Sequence, residues 1–491
     1  MAAATKKRAR GRTAAKRSQG ASGATATTVR AWEEDPSSGT TIDRPVPNLA
    51  KRPLALSFPP RGPAPGAYRP GTAEFRYWTA AEALRRAADF WAPRVPSKNW
   101  QIGPTLPVIL DEGEDLNAYY DRKALNFFHG DGPGGTVYSG ESPDVICHEL
   151  GHAVLDSIKP ELWDAASDEA AAFHEAFGDM SAILSALQLP SLRSSILSDT
   201  KGHLYRSTRL SRLAEQLGDA IRAVQPDAVD RDCLRNVVNS FTYTDPLRLP
   251  QSAPASQISS EPHSFSRVFS GSFFEALAGM LAAKAAKPEA PTEQELLATA
   301  NDAADILIAA VRHASVVPNF YAQVAAGMVG EAAHYNAKYP AVLKGVFVRR
   351  SILSLRSALH VEALHSATAG ARNKRIAKPG VLEKIALAGQ VYNLQQPLLV
   401  HVAGQPRSYV VDSGHDVLGQ WEPPSSATAA RAFVDNLFQR GSVEHVEHKA
   451  GMAYMNHGRR LKTHRVRPKR DDNLHLERCM FDCNFCYGGR R

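Results

Sequence analysis

The sequence predicts an α+β fold: a strand-bearing N-terminal lobe, a helical lobe and an appended mixed domain. Three observations carry this. Short apolar runs around turn residues lie before residue 143, long segments with helix start and stop signals fill 144–335, and short strand pairs return after about 336. A chain of 491 residues exceeds one ordinary core, so two or three domains are expected.

Residues 1–50 lack hydrophobic periodicity and are expected to be a disordered basic tail. Lys6, Lys7, Arg8, Arg10, Arg12, Lys16, Arg17 and Arg30 carry eight positive charges with no acid among residues 1–30, which equals the whole net charge of +8. The remainder is balanced, so a nucleic-acid partner is not expected apart from that tail. The tail reads as a solvated segment, with an address or a nucleic-acid contact as the alternative.

The N-terminal lobe is expected over 51–143. Residues 51–70 are Pro-rich and extended; a helix follows around Trp78–Phe90 and ends near Pro93. Leu106–Leu110 reads as a strand. Leu116–Tyr120 and Ala124–Phe128, around Asp121-Arg122-Lys123, read as a hairpin.

The helical lobe is expected over 144–335. Ser142 is placed as an N-cap, Pro143 at the first helical position and Asp144 in the first turn, and Pro160 stops this helix near Ile158. A second helix starts near Ser167 and ends before Pro190. Further helices read at Ser272–Ala286, Glu293–Ala314 and Phe320–Tyr335, with Thr292 and Glu295 as a capping box. In the appended domain, 336–491, Leu398–Val402 with Ser408–Asp412, and Thr463–Val466 with Leu474–Met480, look like strand pairs.

No run of 18 apolar residues is present, so no membrane partner is expected. Residues 1–30 hold no apolar stretch of the secretory kind, and five scattered cysteines do not suggest a disulfide framework. These features predict a cytoplasmic protein, with export by another route left open.

The chemistry centres on His148-Glu149-Leu150-Gly151-His152. Residues four apart share a helix face, so both imidazoles can meet one metal. Two neutral imidazoles, a carboxylate and an open water position suit Zn2+. Glu149 can take a proton from that water. The third ligand is expected on the second helix, where Glu175 and Asp179 are also four apart among apolar Phe173, Phe177, Met180, Ile183 and Leu184. Glu175 is the expected ligand, and Asp179 is expected to fix the tautomer of a ligating His. His174 is a rival that points about 100° away from Glu175.

His148–His152 followed by Glu175 and Asp179 resembles the thermolysin-like metallopeptidases, gluzincins whose zinc is held by two His and one Glu. Asn117-Ala118-Tyr119-Tyr120, Gly130-Asp131-Gly132 and Asp144-Val145 are similar to that family's edge strand and loop. The resemblance covers roughly residues 100–335. It implies a two-lobe zincin fold, a peptide or protein substrate, and a substrate backbone held by the Asn117 side chain and the Ala118 main chain, as strand addition to a sheet edge allows. It also implies that Arg235 grips the substrate carbonyl, that His263 stabilises the oxyanion, and that Ser270-Gly271 opens a helix.

There are departures from the pattern. Trp163 stands near the position of a family Tyr, Glu261 is the nearest substitute for the Asp that orients the His, and the acids of a calcium site are missing after Asp179. The expected function is a zinc metalloendopeptidase with Glu149 as general base. The alternative is a binding or regulatory protein that keeps the zinc scaffold but turns over weakly. Cys479, Cys483 and Cys486, with His475, read either as a structural zinc site or as small packing residues.

Overall fold

The computed structural model describes residues 27–368, 382–404, 413, 423–445, 462–469 and 473–483. The architecture is mixed α+β. Strand β1 (Thr28–Trp32) pairs antiparallel with β2 (Thr41–Pro45). Val29 and Ala31 are buried, and the Trp32 indole N–H donates to Glu141. Residues 27–50 are therefore a folded ribbon, which corrects the expectation of a disordered 1–50. Three buried apolar side chains, Val29, Ala31 and Trp32, are too few to show as local periodicity, and what orders them is a distant helix. Residues 1–26 lie outside the described residues.

Next come β3 (Ala55–Ser57), helix α1 (Ala73–Trp91), β4 (Thr105–Ile109), β5 (Ala118–Tyr120) and β6 (Leu125–Phe127). Helix α1 begins before Trp78 because the Thr72 hydroxyl accepts from the Phe75 N–H. β5 and β6 form the expected hairpin, with Asp121 accepting from Lys123 N and Ala124 N in the turn. β4 runs parallel to β6 and to β3. β7 (His129–Gly132) and β8 (Gly135–Tyr138) make a separate ribbon.

Helix α2 (Pro143–Ile158) has the expected bounds. Ser142 sits at its N-cap but does not cap it; its hydroxyl donates to Asp35 Oδ2 at 2.7 Å. Helix α3 (Asp168–Ala186) packs against α2 at very close range. A Cβ on Gly151 would stand 2.9 Å from Gly178 Cα, and one on Gly178 would stand 2.5 Å from the His148 ring. The two glycines let α3 bring its acids up to the histidines of α2.

The lobe continues through α4 (Pro190–Thr200), β9 (Arg212–Leu213), α5 (Glu215–Val224) and β10 (Arg235–Asn236). Helix α6 spans Pro262–Lys284, ten residues earlier than expected at its start. Glu261 caps it by accepting from Ser264 N, so Ser270-Gly271 lies inside the helix instead of opening it. Helix α7 (Glu293–His313) carries the capping box of Thr292 and Glu295, and α8 (Phe320–Ala332) follows. Helices α9 (Tyr339–Arg349) and α10 (Leu355–Thr368) come after the expected boundary at 335, yet Tyr339, Leu343 and Phe347 are buried in the core of the helical lobe. The lobe therefore runs on to about residue 368.

Strands β11 (Glu383–Leu387) and β12 (Leu398–Val402), helix α11 (Ser426–Gln439), and strands β13 (Val443–His445), β14 (His464–Pro468) and β15 (Leu474–Arg478) build the appended domain. Its sheet order is β11-β12-β15-β14-β13, and its own core includes Leu398, Val400, Phe433, Val434 and Leu476. β14 and β15 pair as expected; β12 pairs with β11, while Ser408–Asp412 lies outside the described residues. The chain then leaves this domain as β16 (Phe481–Asp482), which joins the N-terminal lobe's sheet at the free edge of β5, giving the order β16-β5-β6-β4-β3. Among the described residues, no helix is long and apolar enough to cross a membrane.

Candidate metal centre

His148 and His152 lie one turn apart on α2, with ring centroids 4.8 Å apart. α3 brings Glu175 Oε2 to 3.4 Å from His148 Nε2 and 3.8 Å from His152 Nε2. All three side chains are buried, yet His148 Nε2, both His152 ring nitrogens and Glu175 Oε2 have no hydrogen-bond partner. Unpaired polar atoms that converge in a dry interior are costly unless something else binds them. Ligands about 2.0–2.1 Å from a tetrahedral zinc stand roughly 3.3 Å apart, close to the separations seen. The donor set therefore fits one ion held by His148, His152 and Glu175, and burial keeps His152 neutral by pushing its pKa well below the usual range.

Asp179, one turn beyond Glu175, places Oδ1 3.2 Å from His148 Nδ1. With Nδ1–H donating there, Nε2 would present its lone pair to an ion. Arg235 on β10 donates to the same Oδ1 from Nε at 3.1 Å and Nη2 at 2.9 Å. Arg235 is buried, and these bonds tie its guanidinium to the support behind the histidine.

Glu149 is fully buried beside the ligands. Burial pushes its carboxyl up to about 8, against the pull of His148 and of the Cys483 thiol. His263 sits in the first turn of α6. Its Nδ1 lies 2.8 Å from Glu261 Oε1, a contact that orients the ring. Burial opposes the charged imidazolium, but Glu175 and Glu261 outweigh it and raise the His263 pKa to about 9. Burial likewise opposes the Glu261 carboxylate, and His263 brings its pKa down to about 2.

Asn117 and Ala118 are buried at the start of β5. Asn117 Oδ1 accepts from Ala118 N at 2.9 Å, and its Nδ2 has no hydrogen-bond partner. The Ala118 carbonyl accepts from the main-chain N–H of Cys483 at 2.9 Å.

The structure thus brings His148, Glu149, His152, Glu175, Asp179, Arg235, His263 and Ala118 to one place, and adds residues that the sequence reading missed. Phe481 stacks on His174, with centroids 3.9 Å apart and planes at 19°, and more distantly on His152. Trp163 stands edge-on to Phe481 at 5.3 Å, and its indole N–H donates to the Arg478 carbonyl. His174 is a wall of this aromatic pocket. Cys483 Sγ–H donates to Glu149 Oε1 at 2.7 Å. Cys483 thus has a third setting, beside Glu149, which neither reading of the terminal cysteines anticipated. Cys486 lies outside the described residues. Among the described residues, the groups able to hold a metal are His148–His152–Glu175 and His148–Glu149–Cys483. The spacing of Cys483 to its neighbouring cysteines carries no local signal of a partner 334 residues away.

No protein-family model matches the chain, and no curated protein matches it.

Proposed function

We propose that this protein is a zinc-dependent peptidase with a thermolysin-like catalytic core. The observation that carries this reading is the convergence beside Glu149 of buried His148 Nε2, His152 Nε2 and Glu175 Oε2, none of which has a hydrogen-bond partner. His148, His152 and Glu175 would hold a zinc ion there, which would polarise a scissile carbonyl and make water a stronger acid.

The chain's own residues do the rest. β5 offers its edge to an extended substrate, as it does to β16, and the Ala118 carbonyl receives a main-chain N–H. His263 Nε2–H points at the carbonyl oxygen of the paired strand and stabilises charge that develops there. Glu261 keeps that proton on Nε2 by engaging Nδ1. Glu149, as carboxylate, takes a proton from the attacking water; as the C–N bond breaks, it passes that proton to the leaving amine. Asp179 and Arg235 hold His148 in its ligating orientation.

The test is hydrolysis of a mixed peptide library, with zinc measured in the same sample. One zinc per chain and cleavage that Glu149→Gln abolishes are expected. A zinc-loaded protein that cleaves nothing, even without residues 481–491, would favour the reading of a binding scaffold. The filled edge of β5 is the observation on that side.

A further inference from the structure

We propose that Phe481–Cys483 is an inhibitory segment built into this chain, which occupies the substrate cleft and supplies the Cys483 thiolate as an additional zinc ligand. This rests on the peptidase reading above.

Three contacts make the segment a substrate mimic. It adds to β5 antiparallel, with Phe481 opposite Tyr120 and Asp482 opposite Tyr119. The Asp482 carbonyl accepts from His263 Nε2 at 2.5 Å, and the Cys483 N–H donates to the Ala118 carbonyl at 2.9 Å. The Phe481 ring fills the pocket of His174, His152 and Trp163, capped by the Arg478 guanidinium 4.1 Å from its centroid. Edge strands are often covered, and simple packing would explain the pairing alone. It does not explain a buried thiol aimed at Glu149 and a carbonyl aimed at His263.

The thiol turns the mimic into an inhibitor. Cys483 Sγ lies 2.7 Å from Glu149 Oε1, at the distance a water activated by Glu149 would take, and it groups with His148 and Glu149 as a metal donor set. On ligation the S–H bond breaks, the sulfur electron pair goes to zinc, and the proton passes to the Glu149 carboxylate. That step removes the water and the general base together. Because the segment is tethered, its local concentration is on the order of millimolar, which outcompetes substrates present at micromolar levels.

The experiment compares the full chain, Cys483→Ala and a chain lacking 481–491, all loaded with zinc. Zinc K-edge absorption should show sulfur at about 2.3 Å in the full chain and none in either variant. Deleting 481–491 should raise peptide hydrolysis by about 10²-fold or more, and Cys483→Ala by less, because strand addition still competes. Faster amide exchange at Ala118–Tyr120 in the deletion should accompany this. Absence of sulfur from the zinc shell of the full chain overturns the proposal. So does a full chain as active as both variants, or mass spectra showing Glu149-dependent cutting of the Asp482–Cys483 bond, since the segment is then a substrate. If all three bind zinc and none cleaves peptide, the peptidase reading falls, and the sulfur shell alone still decides whether Cys483 ligates.

Discussion

Asp179 stands behind His148: its Oδ1 lies 3.2 Å from Nδ1 while Arg235 donates twice to the same oxygen. The acid is fully buried, and Arg235 together with His148 holds its pKa below the usual value against the burial penalty. Asp179→Asn keeps the shape but weakens the acceptor and the charge. Zinc affinity should fall about 10–100-fold, the usual scale for an outer partner of a ligating His. A competition titration with a chelator measures it. Unchanged affinity would show that the ring is fixed by packing alone.

Glu149→Gln should keep one zinc, because Glu149 is not in the His148–His152–Glu175 set. Peptidase activity should drop by at least about 10²–10⁴-fold. His263→Ala should cost about 10²–10³-fold, the scale of one oxyanion donor. Both are best measured in the chain lacking 481–491, with zinc assayed in each. The ranking is the sharper test: His263→Ala more damaging than Glu149→Gln would reverse the assigned roles.

Gly178→Ala probes the approach of α2 and α3. The new methyl would meet the His148 ring at 2.5 Å, and that ring is pinned by Asp179. Overpacking costs about 1–3 kcal/mol. Better helix propensity returns about 1 kcal/mol. Folding stability should therefore fall only modestly, while zinc affinity falls clearly as the ring is displaced. Equal zinc affinity in the two proteins would mean that α3 yields instead of His148.

Glu34 predicts a pH effect outside the His148–His152–Glu175 cluster. Burial pushes its carboxyl up to about 7, Arg209 pulling against this and Glu33 adding to it. A raised carboxyl pKa means that its share of stability is full below about 4.5 and is lost as pH rises through about 7. Glu34→Gln removes that slope, while Glu33 keeps Arg209 paired at 3.1 Å. Thermal unfolding should show the variant gaining on wild type between pH 5 and pH 8. A constant difference across that range would exclude Glu34 as the source.

Much of the site was legible in the sequence because it is local. The His148–His152 spacing, the stop at Pro160, the Glu175–Asp179 pair and the β5–β6 hairpin each lie within one element or one turn, where periodicity and capping act directly. His263 was reached through resemblance, and its partner Glu261 is two residues away, so the pair survived a misplaced helix start. What the tertiary structure alone decided is long-range. The β1–β2 ribbon finds its burial on distant elements, α9 and α10 join a core begun much earlier in the chain, and Cys483 meets Glu149 across 334 residues. Closing loops of that length costs entropy that no local preference encodes, and it is repaid only when β16 finds the open edge of β5 and Phe481 finds its pocket. The groups proposed as catalytic are therefore written in short spacings, whereas the segment that covers them is set by the assembled fold.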